Sequence, residues 1–158
     1  MAETGYESDD PRVILETLVD RSGAITTLLI TKEGTTVAEA GQTDYLNTTA
    51  MAALVAGMFS ATREVARMVG ERQFSILLQQ GESRHIHISL IGDSEMMVVV
   101  FEDYQRIGRV RHEARRAGEG LAKAQADRND NQQVAQDLSV PEFKEYALNL
   151  IDRIFADR

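Results

Sequence analysis

The sequence contains no cysteine, only 6% aromatic residues and no long apolar run. The absence of cysteine excludes disulfides and thiolate chemistry, and no apolar run approaches the length of a membrane span. The 25 Asp and Glu residues outnumber the 17 Lys and Arg residues, which gives a net charge of −8. Because nucleic acids and anionic membranes attract basic proteins, we predict neither nucleic-acid binding nor membrane insertion.

The motifs of common enzyme classes are also missing. Neither GxxxxGK[ST] nor GxGxxG occurs, so no phosphate-binding glycine loop is predicted. No serine lies in a nucleophile-elbow pattern and the carboxylates are scattered, so we predict no catalytic residues and no cofactor. The polar, acidic N-terminus does not resemble a signal peptide, and the expected location is the cytoplasm.

What the chain does contain is a series of segments with helix or strand patterns. The predicted order is helix, two strands, helix, three strands, helix, linker and helix. Met96 to Phe101 does not alternate in polarity, which indicates a strand covered on both faces. The predicted fold is therefore α+β, a five-stranded antiparallel sheet sandwiched by helices, with an additional C-terminal amphipathic helix. The expected segments are a disordered N-terminus (1–9), a folded domain (10–126), a polar linker (127–138) and the C-terminal helix (139–157).

The segment from Asn47 to Gly70 is the most informative part of the sequence, because it reads as one long helix with two usable faces. At 100° per residue, one face carries bulky side chains and is predicted to cover the core. This face comprises Met51, Leu54, Val55, Met58, Thr62, Val65 and Val69. The other face is mostly small, so another backbone can approach it closely. It comprises Ala53, Gly57, Ser60, Ala61 and Glu64.

Two groups of polar residues could carry chemistry, and each has a simpler interpretation. His85 and His87 point to one face of a strand and could hold a metal with His112. Structural zinc usually needs four ligands, however, and two histidines on the less buried side of a strand explain the pattern equally simply. Arg63 and Arg67 on the long helix could reach a partner's phosphate as an arginine finger. The simpler interpretation is a solvated pair with Glu64 and Glu71 nearby, the latter four residues beyond Arg67.

Two further features concern contacts with partners. A basic patch of Arg109, Arg111, Arg115 and Arg116 could bind an acidic partner or be a solvated helix face. Near the C-terminus, an amphipathic stripe could dock on its own domain or enter a partner's groove. This stripe contains Phe143, Ala147, Leu150, Ile151, Ile154 and Phe155.

The order of elements and two stretches of sequence resemble the Roadblock family of dimeric platforms, and within it the bacterial MglB regulators. The first stretch is AGQTDYLNTTAMAALVAGMFSATREVARMVGERQF, from Ala40 to Phe74. The second is HISLIGDSEMMVVVFEDYQRIGRVR, from His87 to Arg111. The resemblance covers about residues 11–126.

The resemblance implies a homodimer that binds a small Ras-like GTPase of the MglA type. Hydrolysis of GTP would be stimulated by repositioning the GTPase's switch loops, without an arginine finger, in polarity or motility signalling. The implied dimer and GTPase interface comprises Ala53, Ala56, Gly57, Ser60, Ala61, Arg63, Glu64 and Arg67. The implied dimer strand carries Phe74, Ile76 and Leu78. The implied partner contacts of the tail are Phe143, Leu150, Ile151, Ile154 and Phe155.

Two other functions remain open. A Roadblock scaffold that assembles other components without affecting GTP hydrolysis would have the same core. A small-ligand or metal sensor using His85 and His87 is a third class.

Overall fold

A computed structural model describes residues 4–139 of the chain. This part contains three α-helices, five β-strands and two short 3₁₀ helices. The α-helices are α1 (Pro11–Ser22), α2 (Thr48–Met68) and α3 (Ile107–Ser139). The strands are β1 (Thr26–Thr31), β2 (Thr36–Gly41), β3 (Ile76–Gln80), β4 (His85–Ile91) and β5 (Glu95–Phe101). The 3₁₀ helices are Thr4–Tyr6 and Tyr104–Arg106. The predicted fold class is confirmed.

The five strands form one antiparallel sheet in the order β2-β1-β5-β4-β3. The central strand β5 is buried along its whole length, as its non-alternating sequence predicts. In its register, Val99 lies between Thr27 of β1 and His87 of β4. The pairing of β1 with β5 joins the β1–β2 hairpin to the three consecutive strands β3, β4 and β5. The strands β2 and β3 therefore lie at the two edges of the sheet.

Each face of the sheet is covered by a different apolar cluster. On one face, Leu28, Ile88 and Val98 pack with side chains of α2. On the other face, Leu29, Met97 and Val99 pack with α1 and with the first turns of α3, which contribute Val110, Ala114, Ala117 and Leu121. None of the helices in the described residues is long and apolar enough to cross a membrane.

The helix α2 begins where the sequence predicts. The Asn47 side chain caps it by accepting a hydrogen bond from the backbone N–H of Ala50, at 3.0 Å. Such a cap satisfies one of the N–H groups that have no partner within the helix. The helix ends at Met68, and Gly70 follows with a φ of 86°, a conformation that side chains disfavour.

The prediction that residues 1–9 are disordered is wrong for the described part of this segment. The Tyr6 side chain is buried, and its hydroxyl donates a 2.8 Å hydrogen bond to the Glu113 carboxylate. The guanidinium groups of Arg21 and Arg116 lie 5.1 and 5.4 Å from the centre of the Tyr6 ring. Burial and the neighbouring carboxylate raise the pKa of Tyr6 well above its usual range. The buried Tyr6 side chain thus fixes the position of an otherwise polar N-terminal segment.

Replacing Tyr6 by phenylalanine is expected to lower the free energy of unfolding by about 1–3 kcal/mol, because the buried carboxylate loses its hydroxyl donor. Chemical denaturation measures this change. The control is Tyr104→Phe, since Tyr104 is exposed and packs edge-on against His85 through its ring. The control should stay within about 0.5 kcal/mol of the wild type. Equal effects of the two substitutions would contradict a structural role for the Tyr6 hydroxyl.

The predicted polar linker is also wrong in its secondary structure. The helix α3 continues to Ser139, so residues 127–138 are helical. No proline or glycine occurs between residues 121 and 139, and alanine and glutamine support a helix despite the polar composition. By its internal contacts the chain divides into two compact units, Met1–Ala124 and Gln125–Arg158. The predicted C-terminal helix at 139–157 lies, apart from Ser139, outside the described residues.

Candidate functional site

The outward face of α2 carries a continuous apolar stripe, of which Leu54, Met58 and Val65 belong to the face that is predicted to cover the core. Leu54 is 73% exposed, Val65 is 59% exposed and Met68 is 85% exposed. With half-buried Met58 and exposed Ala61 between them, these residues follow alternating steps of four and three. We refer to Leu54, Met58, Ala61, Val65 and Met68 as the α2 apolar stripe. This spacing is typical of a helix that packs along a second helix.

The inward face of α2 consists instead of Ala52, Val55, Ala56 and Phe59. The predicted core stripe is therefore wrong for Leu54, Val65 and Val69, which are exposed. The physical reason is that two alanines let the helix approach the sheet closely. Phe59 then fills the remaining space against Phe74, with the ring centres 5.1 Å apart. Ala56, which the resemblance placed at an interface, lies in the core and offers no surface contact.

The small residues predicted for the second face of α2 lie beside the apolar stripe. Ala53, Gly57, Ser60 and Glu64 are all exposed. A Cβ atom built on Gly57 would meet no atom within 4 Å, so the monomer itself does not require glycine there. The bulky and small residues together form one exposed face of α2, and this face is suited to close contact with another chain.

The edge strand β3 lies close to the N-terminal half of this face, because Gln79 of β3 lines one pocket together with Leu54 and Met58. Among the described residues, β3 pairs with β4 and has no strand on its other side. Ile76 is exposed, whereas Phe74 and Leu78 are half-buried against the two core clusters. An exposed apolar edge strand is open to pairing with another chain.

The two arginines of α2 are each held by a neighbour on the helix. The Arg63 guanidinium lies 5.8 Å from the centre of the Phe59 ring. The Arg67 guanidinium lies 2.5 Å from a carboxylate oxygen of Glu64. Of the two neighbouring carboxylates named from the sequence, Glu64 is thus the partner of Arg67, whereas Glu71 accepts a hydrogen bond from the backbone N–H of Gln73. Arg67 therefore pairs with the preceding turn of its own helix.

The histidines of β4 do not lie on a less buried side of the sheet, as their simpler interpretation expected. His85 is 2% and His87 is 1% exposed. The His85 ring lies 5.2 Å from the Phe101 ring and 5.1 Å from the Tyr104 ring. His112 lies exposed on α3. Within residues 4–139, no group of three potential metal-ligating side chains comes together.

The predicted basic patch on α3 contains three exposed arginines rather than four. Arg109, Arg111 and Arg115 are exposed, whereas Arg116 is half-buried and lies 3.6 Å from the Glu113 carboxylate. Arg116 thus supports the Tyr6 contact.

The proposed tail contacts at Phe143, Leu150, Ile151, Ile154 and Phe155 lie outside the described residues, and they stay predictions.

The comparison with known families agrees with this architecture. The profile of the Roadblock/LC7 domain matches residues 12–101, from α1 through β5. The chain belongs to the Roadblock/LC7 domain family. A search of curated protein sequences finds no significant match.

Among solved structures, the chain is similar to several MglB proteins. MglB of Myxococcus xanthus aligns with a TM-score of 0.72 and 26% identity, covering 74% of this chain and 95% of that one. Gliding protein MglB of Thermus thermophilus aligns with a TM-score of 0.68 and 28% identity, covering 78% and 91%. An MglB solved with a tetrameric arrangement aligns with a TM-score of 0.66 and 29% identity, covering 70% and 84%.

Proposed function

We propose that this protein is a homodimeric regulator of a small Ras-like GTPase of the MglA type, and that it stimulates GTP hydrolysis. The observation that carries the proposal is the exposed face of α2 beside the open edge of β3. The structural similarity to MglB proteins supports the same function. The site is a contact surface, and the chemistry of hydrolysis belongs to the GTPase.

The dimer is proposed to form by pairing of the two α2 helices and the two β3 strands. The alternating spacing of Leu54, Met58, Ala61, Val65 and Met68 lets two helices interlock their side chains. Gly57 allows the helices to approach closely, and the edge of β3 offers backbone hydrogen bonds to its twin. Pairing removes from water an apolar stripe about four turns long, and the hydrophobic effect favours this burial.

Stimulation is proposed to act through the switch loops of the GTPase rather than through an inserted arginine. Arg63 rests on Phe59 and Arg67 is paired with Glu64, so each would have to leave a favourable contact to reach a phosphate. The exposed rim of the helix pair would contact and reposition the switch loops. An ordered switch loop can place the GTPase's own catalytic groups around the γ-phosphate.

The proposal is tested with a purified small Ras-like GTPase of the MglA type. Purified GTPase loaded with GTP is mixed with increasing amounts of this protein, and phosphate release is followed over a single turnover. The proposal expects a rate that rises with this protein and then saturates. Binding without a change in rate would contradict the activator function and support the alternative, a scaffold that leaves hydrolysis unaffected.

Replacing Arg63 or Arg67 by alanine is expected to change the maximal hydrolysis rate less than threefold. Removing a true arginine finger lowers the rate by about 10³–10⁵-fold. The same single-turnover assay measures the rate for each variant at saturating concentration. Arg12→Ala is the control, because Arg12 pairs with Glu16 on α1 in a similar exposed contact. A loss of 100-fold or more in either α2 variant, with the control unaffected, would establish a finger.

The C-terminal segment is proposed to add a second contact with the GTPase. Deleting residues 140–158 is then expected to weaken GTPase affinity about tenfold, and the thermal unfolding temperature should not change. Calorimetric titration of the deletion variant and the full chain measures the affinity. Unaltered affinity would show that the segment is dispensable for binding, and a lower unfolding temperature would favour docking on its own domain.

A further inference from the structure

A groove lies between α3 and the strands β3 and β4, on the face of the sheet opposite α2. Its volume is about 820 Å³, which lies within the range of small-molecule sites. We refer to it as the α3 groove. Its walls are largely apolar and include Leu78, Ile91, Ala114 and Ala122. The proposed contacts on α2 lie on the opposite face of the sheet, whereas the edge strand β3, which is proposed to pair with its twin, forms one wall of this groove.

The floor of the groove contains polar groups without partners. His87 and Ser89 are two positions apart on β4, so their side chains lie on the same face of the sheet, the one that faces α3. Neither ring nitrogen of His87, nor the Ser89 hydroxyl, has a hydrogen-bond partner in the described part of the protein. Buried polar side chains are nearly always hydrogen-bonded, to protein, water or a ligand, so these groups are available to bind polar atoms that enter the groove.

The rim of the groove carries positive charge. Arg111 and Arg115 lie one turn apart on α3, and both line the groove. Both are exposed, and neither forms an ion pair within residues 4–139. In a chain with a net charge of −8, two adjacent free arginines create a local site for an anion. Glu119, one turn further on, also lines the groove and limits the positive region to one end.

The protonation state of His87 suits the recognition of a polar ligand atom. Burial, and secondarily the positive charge of Arg111, lower the pKa of His87 to about 4. The ring is therefore neutral near pH 7, and it offers one donor and one acceptor nitrogen. Ser89 adds a hydroxyl that can donate or accept.

We propose that the α3 groove binds a small organic anion. Its compact apolar body fills the groove between Leu78 and Ala114, and its carboxylate or phosphate group pairs with Arg111 and Arg115. A polar atom of the ligand completes the hydrogen bonds of His87 and Ser89. Arginine suits the anionic group because its planar guanidinium donates two parallel hydrogen bonds to a carboxylate or phosphate.

The test uses naphthalene-2-carboxylate as the probe and naphthalene-2-methanol as its neutral analogue. Each is titrated into the ¹⁵N-labelled full chain, and the shifts of backbone and histidine ring signals are followed. The carboxylate is expected to shift His87, Ser89, Arg111 and Arg115, with an affinity at least tenfold above that of the neutral analogue. Equal affinity of the two probes, or shifts confined to the α2 apolar stripe, would overturn the proposal.

A pair of charge-matched variants separates the groove from general electrostatic attraction. The double substitution Arg111→Gln with Arg115→Gln is expected to weaken carboxylate binding at least tenfold, because charged hydrogen bonds are lost. Arg109→Gln with Lys123→Gln removes the same total charge from exposed positions of α3 outside the groove, and it should change the affinity less than threefold. Equal losses in the two double variants would contradict a site at Arg111 and Arg115. GTP hydrolysis is measured separately, so failure of this proposal leaves the proposed regulation unaffected.

Discussion

Replacing Val65 by glutamate is expected to convert the proposed dimer to folded monomers. Val65 lies between Ala61 and Met68 in the α2 apolar stripe and is 59% exposed. A glutamate side chain at this position is therefore solvated in the monomer. In the dimer each copy would bury an unpaired carboxylate against its twin. Burying an unpaired charge costs several kcal/mol, which corresponds to a dissociation constant raised by roughly 1,000-fold or more.

Sedimentation velocity over a range of concentrations measures this shift, and circular dichroism verifies that the variant stays folded. The matched control is Val13→Glu, an exposed valine on α1 at the other face of the sheet. A second variant, Gly57→Leu, should also weaken the dimer, since no atom of the monomer lies near its Cβ. A folded Val65→Glu protein that remains dimeric, with Gly57→Leu also dimeric, would remove α2 from the interface.

Lowering the pH from about 6.5 to about 4 is expected to destabilise the fold through His87. The folded pKa of His87 is about 4, whereas an unfolded histidine titrates near 6.5. In this window the unfolded state binds a proton that the folded state does not, so stability falls with falling pH. A gap of about 2.5 pKa units corresponds to a loss of about 3 kcal/mol at the lower end, and the slope due to His87 vanishes about one pH unit above 6.5.

The charged groups around His87 support the sign of this effect. Arg111 and Arg115 from α3 face the same groove and oppose protonation, whereas Glu119 lies at its end and favours it weakly. His87→Gln is expected to flatten the fall in unfolding free energy between pH 6.5 and 4, relative to wild type. His112→Gln replaces an exposed histidine and should retain the full fall.

Urea denaturation at a series of pH values measures the slopes, and the carboxylates common to all variants cancel in the differences. Direct NMR titration of the His87 ring gives a second measurement on the wild-type protein. A His87 pKa near 6.5, or identical slopes for wild type and His87→Gln, would contradict the buried neutral imidazole.

Most of the fold could be predicted because each element carries its own signal. Asn47 and Gly70 mark the ends of the long helix, and the run from Met96 to Phe101 marks the strand buried on both faces. The errors arose where one distant contact decides the outcome. Tyr6 is ordered by Glu113, more than a hundred residues away, and no local pattern of the first nine residues reveals that contact.

The site was harder to predict, because periodicity separates the faces of a helix without assigning them. The bulky face of α2 looked like the core face, yet the small side chains of Ala52 and Ala56 allow close packing on the sheet. The larger Leu54 and Val65 are left outside. The one sequence signal that could have found them is the alternating spacing of four and three from Leu54 to Met68, which is typical of helix pairing.

The α3 groove could not be predicted from the sequence. His87 and Ser89 are separated from Arg111 and Arg115 by β5 and the start of α3. Only the antiparallel pairing of β4 with β5, followed by the return of α3 across the sheet, brings them together. The sequence interpretation grouped His87 with His85 and His112, and these three side chains do not share a site.

The most direct test of the central claim is the single-turnover GTP hydrolysis rate of a small Ras-like GTPase of the MglA type, measured with wild-type protein and with Val65→Glu at equal concentration. The account predicts a rate well above the intrinsic rate with the wild type, and a rate close to the intrinsic one with the monomeric variant. Val13→Glu should stimulate as the wild type does. Equal stimulation by wild type and by monomeric Val65→Glu would contradict a regulator that works through the paired α2 face.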